Sequence, residues 1–145
     1  MKMQTTWTGG MKFIATAGNH SAPMDAKTPI GSDSAMSPKE LMAAGLGGCT
    51  AMDVIALLKK HKQETESLEI DIEITTSNSG QPVVFTSALL TFTATGAIDP
   101  AILNEAVRLS QTKYCGVSAM LSKAFPIDYV VILNGMRIGQ GRAEF

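Results

Sequence analysis

The sequence predicts an α+β fold in which antiparallel β-sheets wrap around one long central helix. Two observations support this fold class. Segments that alternate between apolar and polar residues occur on both sides of a single long apolar segment, residues 38–62. Alternation with a period of two is typical of half-buried strands, whereas a predominantly apolar segment of this length is too long for a strand and indicates a helix. The predicted order of elements is β-β-(β)-α-β-β-α-α-β.

The chain begins with a predicted β-hairpin. The segments TTWT and MKFIATA alternate, and Gly9 and Gly10 between them suit a tight turn. Residues 20–36 are rich in Pro, Gly, Ser and Asp, so we expect a loop there, with a short strand near residues 22–26. A loop of this length could cover a functional site.

The start of the long helix is the clearest local signal, in the segment SPKE at residues 37–40. Ser37 is a favourable N-cap, Pro38 suits the first helical position, and Glu40 can bond back to the cap amide. The helix is predicted over residues 38–62 and is apolar on all sides, which indicates burial. One chain of this size has too little core to enclose it, so we expect a second copy to cover it. An aspartate and many small residues within the helix argue against a membrane span.

The second half of the chain is predicted to contain three strands and two helical segments. Strict alternation of apolar and acidic residues, as in LEIDIEITT, is typical of a strand with one solvated face. Asp99 followed by Pro100 repeats the helix-start pattern, and Pro126 ends the last helical segment. Residues 134–145 have no periodicity, so we expect them to be loosely ordered or to form an edge strand. The predicted strands are residues 68–76, 83–95 and 127–133, and the predicted helical segments are residues 101–110 and 111–124.

Composition places the chain among small soluble proteins. Its 145 residues suit one domain, residues 1–145, and its net charge of -1 gives no electrostatic footprint for nucleic acid or an anionic membrane. The N-terminal segment has no apolar run like that of a signal peptide, so we expect a cytoplasmic protein. In that reducing compartment its two cysteines are expected to be free thiols or a redox pair.

Cys49 and Cys115 are the two candidate reactive groups. Each could be a small buried hydrophobe, as most free cysteines are. Alternatively, one thiolate attacks the O–O bond of a peroxide and becomes a sulfenic acid, which condenses with the other cysteine to a disulfide. A zinc site completed by His20 and His61 would lack the short ligand spacings of structural zinc sites. We therefore expect no metal and no other cofactor, and we expect Asp53, one turn after Cys49, to be buried with a hydrogen-bond partner.

Two segments that contain these cysteines resemble a known family. SPKELMAAGLGGCTAMDV at residues 37–54 and LSQTKYCGV at residues 109–117 resemble the cysteine motifs of the OsmC/Ohr family of bacterial organic hydroperoxide reductases, in its less characterised OsmC-like branch. The resemblance covers about residues 5–133. It implies an intertwined homodimer with active sites at the subunit interface, where an apolar pocket takes organic hydroperoxides. It also implies that Cys49 is the peroxidatic thiol, that Cys115 resolves it, and that a lipoyl-type dithiol reduces the disulfide.

The activating residues of the family are not matched position by position. Its studied peroxidases carry a glutamate ten residues before the first cysteine and pair it with an arginine from the N-terminal strands. Here Lys39 holds that position and Glu40 follows it. A capping role at the start of the helix also explains the presence of Glu40. No arginine precedes Arg108, and lysine lacks the bidentate fork that arginine offers a carboxylate. The candidate catalytic residues are Cys49, Cys115, Glu40, Lys39 and Lys12.

Three hypotheses for function follow. The first is a homodimeric thiol-dependent peroxidase that reduces organic hydroperoxides through Cys49 and Cys115. The second is a protein of the same fold that binds a small apolar ligand in the interface pocket or senses redox state, without efficient catalysis. The third is a structural dimer with inert thiols. Retention of both cysteines favours the first hypothesis, and the missing arginine favours the second.

Overall fold

The computed structural model describes all residues, 1–145, and confirms an α+β fold with two sheets and one long helix. The chain forms two compact units, residues 1–44 and residues 45–145. In chain order the elements are β1 (Gln4–Gly9), β2 (Lys12–Ala17), β3 (His20–Met24), α1 (Pro38–Lys60), β4 (Glu64–Thr76), β5 (Phe85–Ala97), α2 (Pro100–Leu109), a π-helical turn (Ser110–Tyr114), α3 (Gly116–Leu121), β6 (Ile127–Leu133) and β7 (Met136–Arg142).

The first unit contains a three-stranded antiparallel sheet in the order β1-β2-β3. The predicted hairpin is confirmed, because β1 pairs with β2 and places Trp7 opposite Phe13. The turn between them holds Gly9 at φ 117° and Gly10 at φ 55°. Glycine adopts these positive angles without steric penalty. The short third strand expected near residues 22–26 also forms, and it pairs with β2.

The carboxylate of Asp25 organises the loop between β3 and α1. It is buried and accepts hydrogen bonds from the backbone N–H and the hydroxyl of both Ser32 and Ser34, at 2.8 to 3.2 Å. The N–H of Ala26 donates to it as well, at 2.8 Å. These hydrogen bonds, led by the backbone N–H of Ser34, hold the pKa of Asp25 well below its ordinary value. One side chain therefore orders a loop that has no regular secondary structure.

Helix α1 begins as the sequence predicts. The N–H of Ser37 donates to Glu40 at 2.7 Å, and the N–H of Glu40 donates to the Ser37 hydroxyl at 3.4 Å, which completes a capping box. The helix ends at Lys60, two residues before the predicted end. Lys62 then takes φ 55° and donates its N–H to the carbonyl of Lys59. This is the arrangement of a Schellman motif, which closes the helix.

The second unit contains a four-stranded sheet in the order β4-β5-β6-β7. The long hairpin of β4 and β5 is antiparallel, as predicted. Strand β6, however, runs parallel to β5, so this sheet is mixed rather than wholly antiparallel. The reason is the helical connection between them, which crosses over and returns the chain in the same direction. Within residues 134–145, β7 pairs with β6 as an edge strand.

The core of the second unit lies between this sheet and the helices. Leu46, Val54 and Leu58 of α1 are fully buried in the same cluster as Phe92 of β5. Further members of the cluster come from α2 and β6 and are Leu103, Val107, Ile127 and Val131. A Cβ atom at Gly47 would lie 2.7 Å from the Cδ1 of Ile72. A glycine in the helix therefore permits the close approach of β4.

The opposite face of α1 is not covered by the rest of the second unit. Only 28% of the most apolar window of this 23-residue helix is buried. Gly45, Gly48, Met52 and Ala56 follow one another on this face at helical spacing. A Cβ atom at Gly45 or Gly48 would meet no atom within 4 Å, and Met52 is 74% exposed. By length and apolar composition α1 is also long enough to cross a membrane.

Candidate functional site

The two cysteines come together in the second unit. Their Sγ atoms lie 3.0 Å apart, and both are free thiols. A disulfide bond is about 2.05 Å long, so the two sulfurs need to approach by only roughly 1 Å to form the bond. Cys115 is fully buried, whereas Cys49 is partly exposed. The pair therefore has one thiol that solvent can reach and one that it cannot.

The π-helical turn places Cys115 against Cys49. Its defining bond runs from the N–H of Cys115 to the carbonyl of Ser110 at 3.0 Å, five residues back. The chain leaves the helical conformation at Cys115, which has φ -70° and ψ 100° and caps α3. The expectation of one helical segment over residues 111–124 was therefore wrong, because the wider turn and the cap divide it. The Cys115 sulfur accepts the N–H of Ser118 at 3.3 Å, which anchors the thiol at the start of α3.

The surroundings of Cys115 favour its thiol form. Burial raises the pKa of Cys115, and the hydrogen bond to Cys49 raises it further, while Ser118 opposes these effects. The thiolate is the nucleophilic form of cysteine. Transfer of the Cys115 proton to a base therefore makes this sulfur more reactive.

A chain of polar side chains, which we name the polar chain, lies beside the sulfurs and consists of Gln111, Thr50, Ser110 and Asp53. Gln111 Nε2 donates to Thr50 Oγ1 at 2.7 Å, the Thr50 and Ser110 hydroxyls are 2.8 Å apart, and Ser110 Oγ donates to Asp53 Oδ2 at 3.0 Å. A carboxylate only accepts hydrogen bonds. Because Ser110 gives its hydrogen to Asp53, Thr50 must donate to Ser110. Every bond therefore points from Gln111 toward Asp53.

The polar chain supplies the partner that the sequence leads us to expect for Asp53. That partner is Ser110, and Asp53 itself is half-buried. The roles of Thr50, Ser110 and Gln111 were not predicted. A signal for them was present, since Thr50 interrupts an apolar helix, and Ser110 and Gln111 lie side by side before the second cysteine. All three are fully buried, where a polar side chain requires a partner.

Cys49, Asp53 and Cys115 also form a group of potential metal ligands, with their ligand atoms all within 4.8 Å of one another. Two thiolates on one tetrahedral zinc ion, each at about 2.3 Å, would lie roughly 3.8 Å apart. The observed 3.0 Å between the sulfurs is too short for that arrangement. The geometry therefore suits disulfide formation better than zinc binding. His20 and His61 are not members of this group.

The cation beside Glu40 is Lys27, which sequence reasoning missed. Glu40 Oε1 and Lys27 Nζ are 3.0 Å apart. The N–H of Ser37 and the ammonium of Lys27 lower the pKa of Glu40 to about 2. Lys12 on β2 and Lys39 in the first turn of α1 are both exposed. Lys27 had no signal in the sequence because it lies in a loop without periodicity.

The chain is similar to known proteins over most of its length. Residues 31–130 match the family model described as OsmC-like protein. Protein YhfA of Escherichia coli strain K12 is 33% identical over 132 residues, which cover 89% of this chain and 95% of YhfA.

Solved structures share its fold. A protein from Aquifex aeolicus VF5 has a TM-score of 0.81 and 22% identity, and the match covers 92% of this chain and 95% of that one. An organic hydroperoxide resistance protein, OsmC, from Legionella pneumophila has a TM-score of 0.65 and 17% identity, with 92% and 96% covered. At these identities the two structures show a common fold. The match to the family model and the 33% identity to YhfA show more than a common fold. They show that the chain belongs to the OsmC-like protein family.

Proposed function

We propose that the protein is a cytoplasmic thiol-dependent peroxidase that reduces organic hydroperoxides. The observation that carries this proposal is the 3.0 Å separation of the Cys49 and Cys115 sulfurs. The Cys49 thiolate attacks the O–O bond, takes one oxygen as a sulfenic acid, and the alcohol leaves. Cys115 then attacks the Cys49 sulfur, which forms the disulfide and releases water. An external dithiol, of the lipoyl type, restores both thiols by exchange.

The different exposure of the two thiols supports this division of roles. Cys49 is partly exposed, so a hydroperoxide can approach it, whereas Cys115 is fully buried. Because Cys115 is protected from the hydroperoxide, it reacts with the oxidised Cys49 rather than with the substrate. The fold shared with the organic hydroperoxide resistance protein of Legionella pneumophila favours an organic substrate over hydrogen peroxide.

The uncovered face of α1 supports a homodimer. Gly45 and Gly48 leave open space above the helix, and Met52 is exposed on the same face. Small residues allow the backbone of another helix to approach closely, and burial of apolar area drives the association. A second copy of this chain on that face would bury α1 without a membrane.

The test is to mix the reduced protein with cumene hydroperoxide and, separately, with hydrogen peroxide. Mass spectrometry then follows the loss of thiols and the formation of the disulfide between Cys49 and Cys115. We expect rapid formation, faster with the organic peroxide, and none in Cys49→Ser. If both thiols of the wild-type protein persist for many minutes in excess peroxide, the proposal fails.

A ligand-binding function without efficient catalysis is the second candidate. Two observations favour it, namely the absence of any arginine before Arg108 and a cavity of about 200 Å³ in the second unit. The cavity lies between the end of α1 and α2, and its lining is mainly apolar, with Leu57, Ile102 and Leu109. Native mass spectrometry of the purified protein would test this function. A bound small molecule together with peroxide-resistant thiols would support it.

A further inference from the structure

The attack by Cys115 requires a proton acceptor inside the second unit. Its side chain is fully buried, so bulk water has no direct access to the thiol proton. Burial and the Cys49 contact raise its pKa, so the thiol does not ionise readily by itself. A group packed beside the sulfurs is therefore best placed to act as the base.

Asp53 occupies the position that such a base needs. One of its carboxylate oxygens and the two Sγ atoms lie within 4.8 Å of one another. A general base acts at hydrogen-bond distance or through one water, and catalytic contacts are commonly long in the resting state. The carboxylate is held by the hydroxyl of Ser110 at 3.0 Å. Ser110 is held in turn by Thr50 at 2.8 Å, so the orientation of Asp53 is determined by buried neighbours.

Other titratable groups on the adjacent elements are poor candidates. His61 is twelve residues after Cys49 in the sequence, which corresponds to about 18 Å along a helix. Lys113 and Tyr114 directly precede Cys115, but both are exposed, and the Lys113 ammonium lies 5.4 Å from the centroid of the Tyr114 ring. Asp53 is the one carboxylate in the group that surrounds the sulfurs.

We propose that Asp53 accepts the proton of Cys115 as its sulfur attacks the oxidised sulfur of Cys49, and that Ser110 positions Asp53 for this step. The role of Asp53 in a peroxidase cycle rests on the proposed function. The Cys115 proton moves to Asp53, the sulfur electron pair forms the S–S bond, and the S–O bond of the sulfenic acid breaks. Asp53 returns the proton to the departing hydroxide, so the products are a disulfide and water.

Electrostatics alone give the opposite expectation for the loss of this carboxylate. A negative charge close to a thiol disfavours the thiolate. If Asp53 had no role in proton transfer, its neutralisation would therefore leave the attack by Cys115 unchanged or make it faster. The direction of the rate change thus separates a base from a nearby charge.

The experiment uses dithionitrobenzoate, an aromatic disulfide, on the reduced full-length protein. Cys49 attacks it and releases a first thionitrobenzoate anion, and Cys115 then displaces the second and forms the disulfide. No peroxide is needed, and the leaving group needs no proton, so the second release reports the attack by Cys115. Cys115→Ser assigns the first release to Cys49. The variants are Asp53→Asn and Ser110→Ala, with Asp71→Asn on the exposed face of β4 as the matched charge control.

We expect Asp53→Asn to slow the second release at pH 7 roughly a hundredfold or more, in keeping with the usual contribution of a general base. Its rate should approach that of the wild-type protein as the pH rises, because hydroxide replaces the lost base. Ser110→Ala should slow the release to a smaller extent, and Asp71→Asn should leave both releases unchanged, because the effect of an exposed charge is screened by solvent and salt. Asparagine keeps an oxygen that can accept the Ser110 hydrogen bond, so the fold is preserved.

An unchanged or faster second release in Asp53→Asn would overturn the inference, as would a wild-type protein that never gives a second release. The failure of the proposed function looks different. In that case the wild-type protein gives both releases with the aromatic disulfide but does not react with cumene hydroperoxide, and the role of Asp53 stands.

Discussion

The hydroxyl of Thr50 lies 2.8 Å from the hydroxyl of Ser110, and this contact joins α1 to the π-helical turn that leads to Cys115. Both side chains are fully buried. Gln111 donates to Thr50 on one side, and Asp53 accepts from Ser110 on the other. The same contact therefore supports the packing of two helical elements and the orientation of the carboxylate beside the sulfurs.

Replacement of Thr50 by valine should destabilise the fold. Valine has nearly the same shape, but it removes the hydroxyl that pairs with Ser110 and with Gln111 Nε2. An unsatisfied buried polar group costs about 1–3 kcal/mol. Urea unfolding followed by circular dichroism should show a loss of this size for Thr50→Val. Thr93→Val, on β5 and outside the polar chain, is the control and should change little. No loss in Thr50→Val, or an equal loss in Thr93→Val, would argue against a stabilising role of the polar chain.

Replacement of Cys115 by serine should trap the first oxidation product. The serine hydroxyl cannot form a disulfide, so the sulfenic acid at Cys49 remains available to dimedone. After one equivalent of cumene hydroperoxide, intact mass spectrometry should show about one dimedone adduct per chain in Cys115→Ser and very little in the wild-type protein. Cys49→Ser should give none. An equal yield of adduct in the wild-type protein would argue against Cys115 as the resolving thiol.

A charge on the uncovered face of α1 should dissociate the proposed homodimer. Met52 is 74% exposed on that face, and a lysine there would have to be desolvated in a helix interface. We expect Met52→Lys to elute as a monomer in size-exclusion chromatography with light scattering, with its helix content unchanged. Met136→Lys, at a methionine that is 71% exposed at the start of β7, is the matched control and should remain dimeric. A dimeric Met52→Lys would place the subunit interface elsewhere.

The capping box of α1 should make stability depend on acid pH. The N–H of Ser37 and the ammonium of Lys27 lower the pKa of Glu40 from an ordinary 4.5 to about 2. A lowered pKa in the folded state contributes stability that is complete above pH 4.5 and is lost as the pH falls through about 2. Glu40→Gln should therefore unfold at a lower temperature than the wild-type protein at pH 7, and the difference should shrink between pH 4.5 and 2.

Thermal unfolding by circular dichroism at five pH values would measure this dependence. Glu69→Gln, at an exposed position on β4, is the control and should show no such convergence. Asp25 has its pKa lowered in the same direction, but it is present in both proteins and cancels from the comparison. A difference between Glu40→Gln and the wild-type protein that stays constant down to pH 2 would contradict the assignment.

Sequence reasoning succeeded where structure depends on local signals. The capping box at Ser37 and Glu40, the turn at Gly9 and Gly10, and the strand Ile127–Leu133 all follow from short patterns of residue types. It failed where structure depends on long-range packing. Nothing local distinguishes the π-helical turn from an α-helix or shows that β6 runs parallel to β5.

The candidate site divides in the same way. Cys49 and Cys115 stood out as the two cysteines of the chain, and the resemblance of the motifs around them to those of a family gave each a role. The sequence did not predict that Lys27 would lie beside Glu40, since lysines at several positions offered the same charge. The polar chain was missed for a related reason. Thr50 and Asp53 lie about sixty residues before Ser110 and Gln111 along the chain, and only folding brings the two pairs together.

The contact between the two cysteines depends on the number of residues in the π-helical turn. The turn closes over five residues instead of four, so it behaves as a one-residue insertion in an α-helix. Removal of one residue from Ser110–Tyr114 would restore ordinary helical bonding and turn everything beyond it by about 100°. The Cys115 sulfur would then point away from Cys49, although both cysteines would still be present. A relative that kept both cysteines but lacked this extra residue would still show the sequence motifs of a redox pair. It could not form the disulfide.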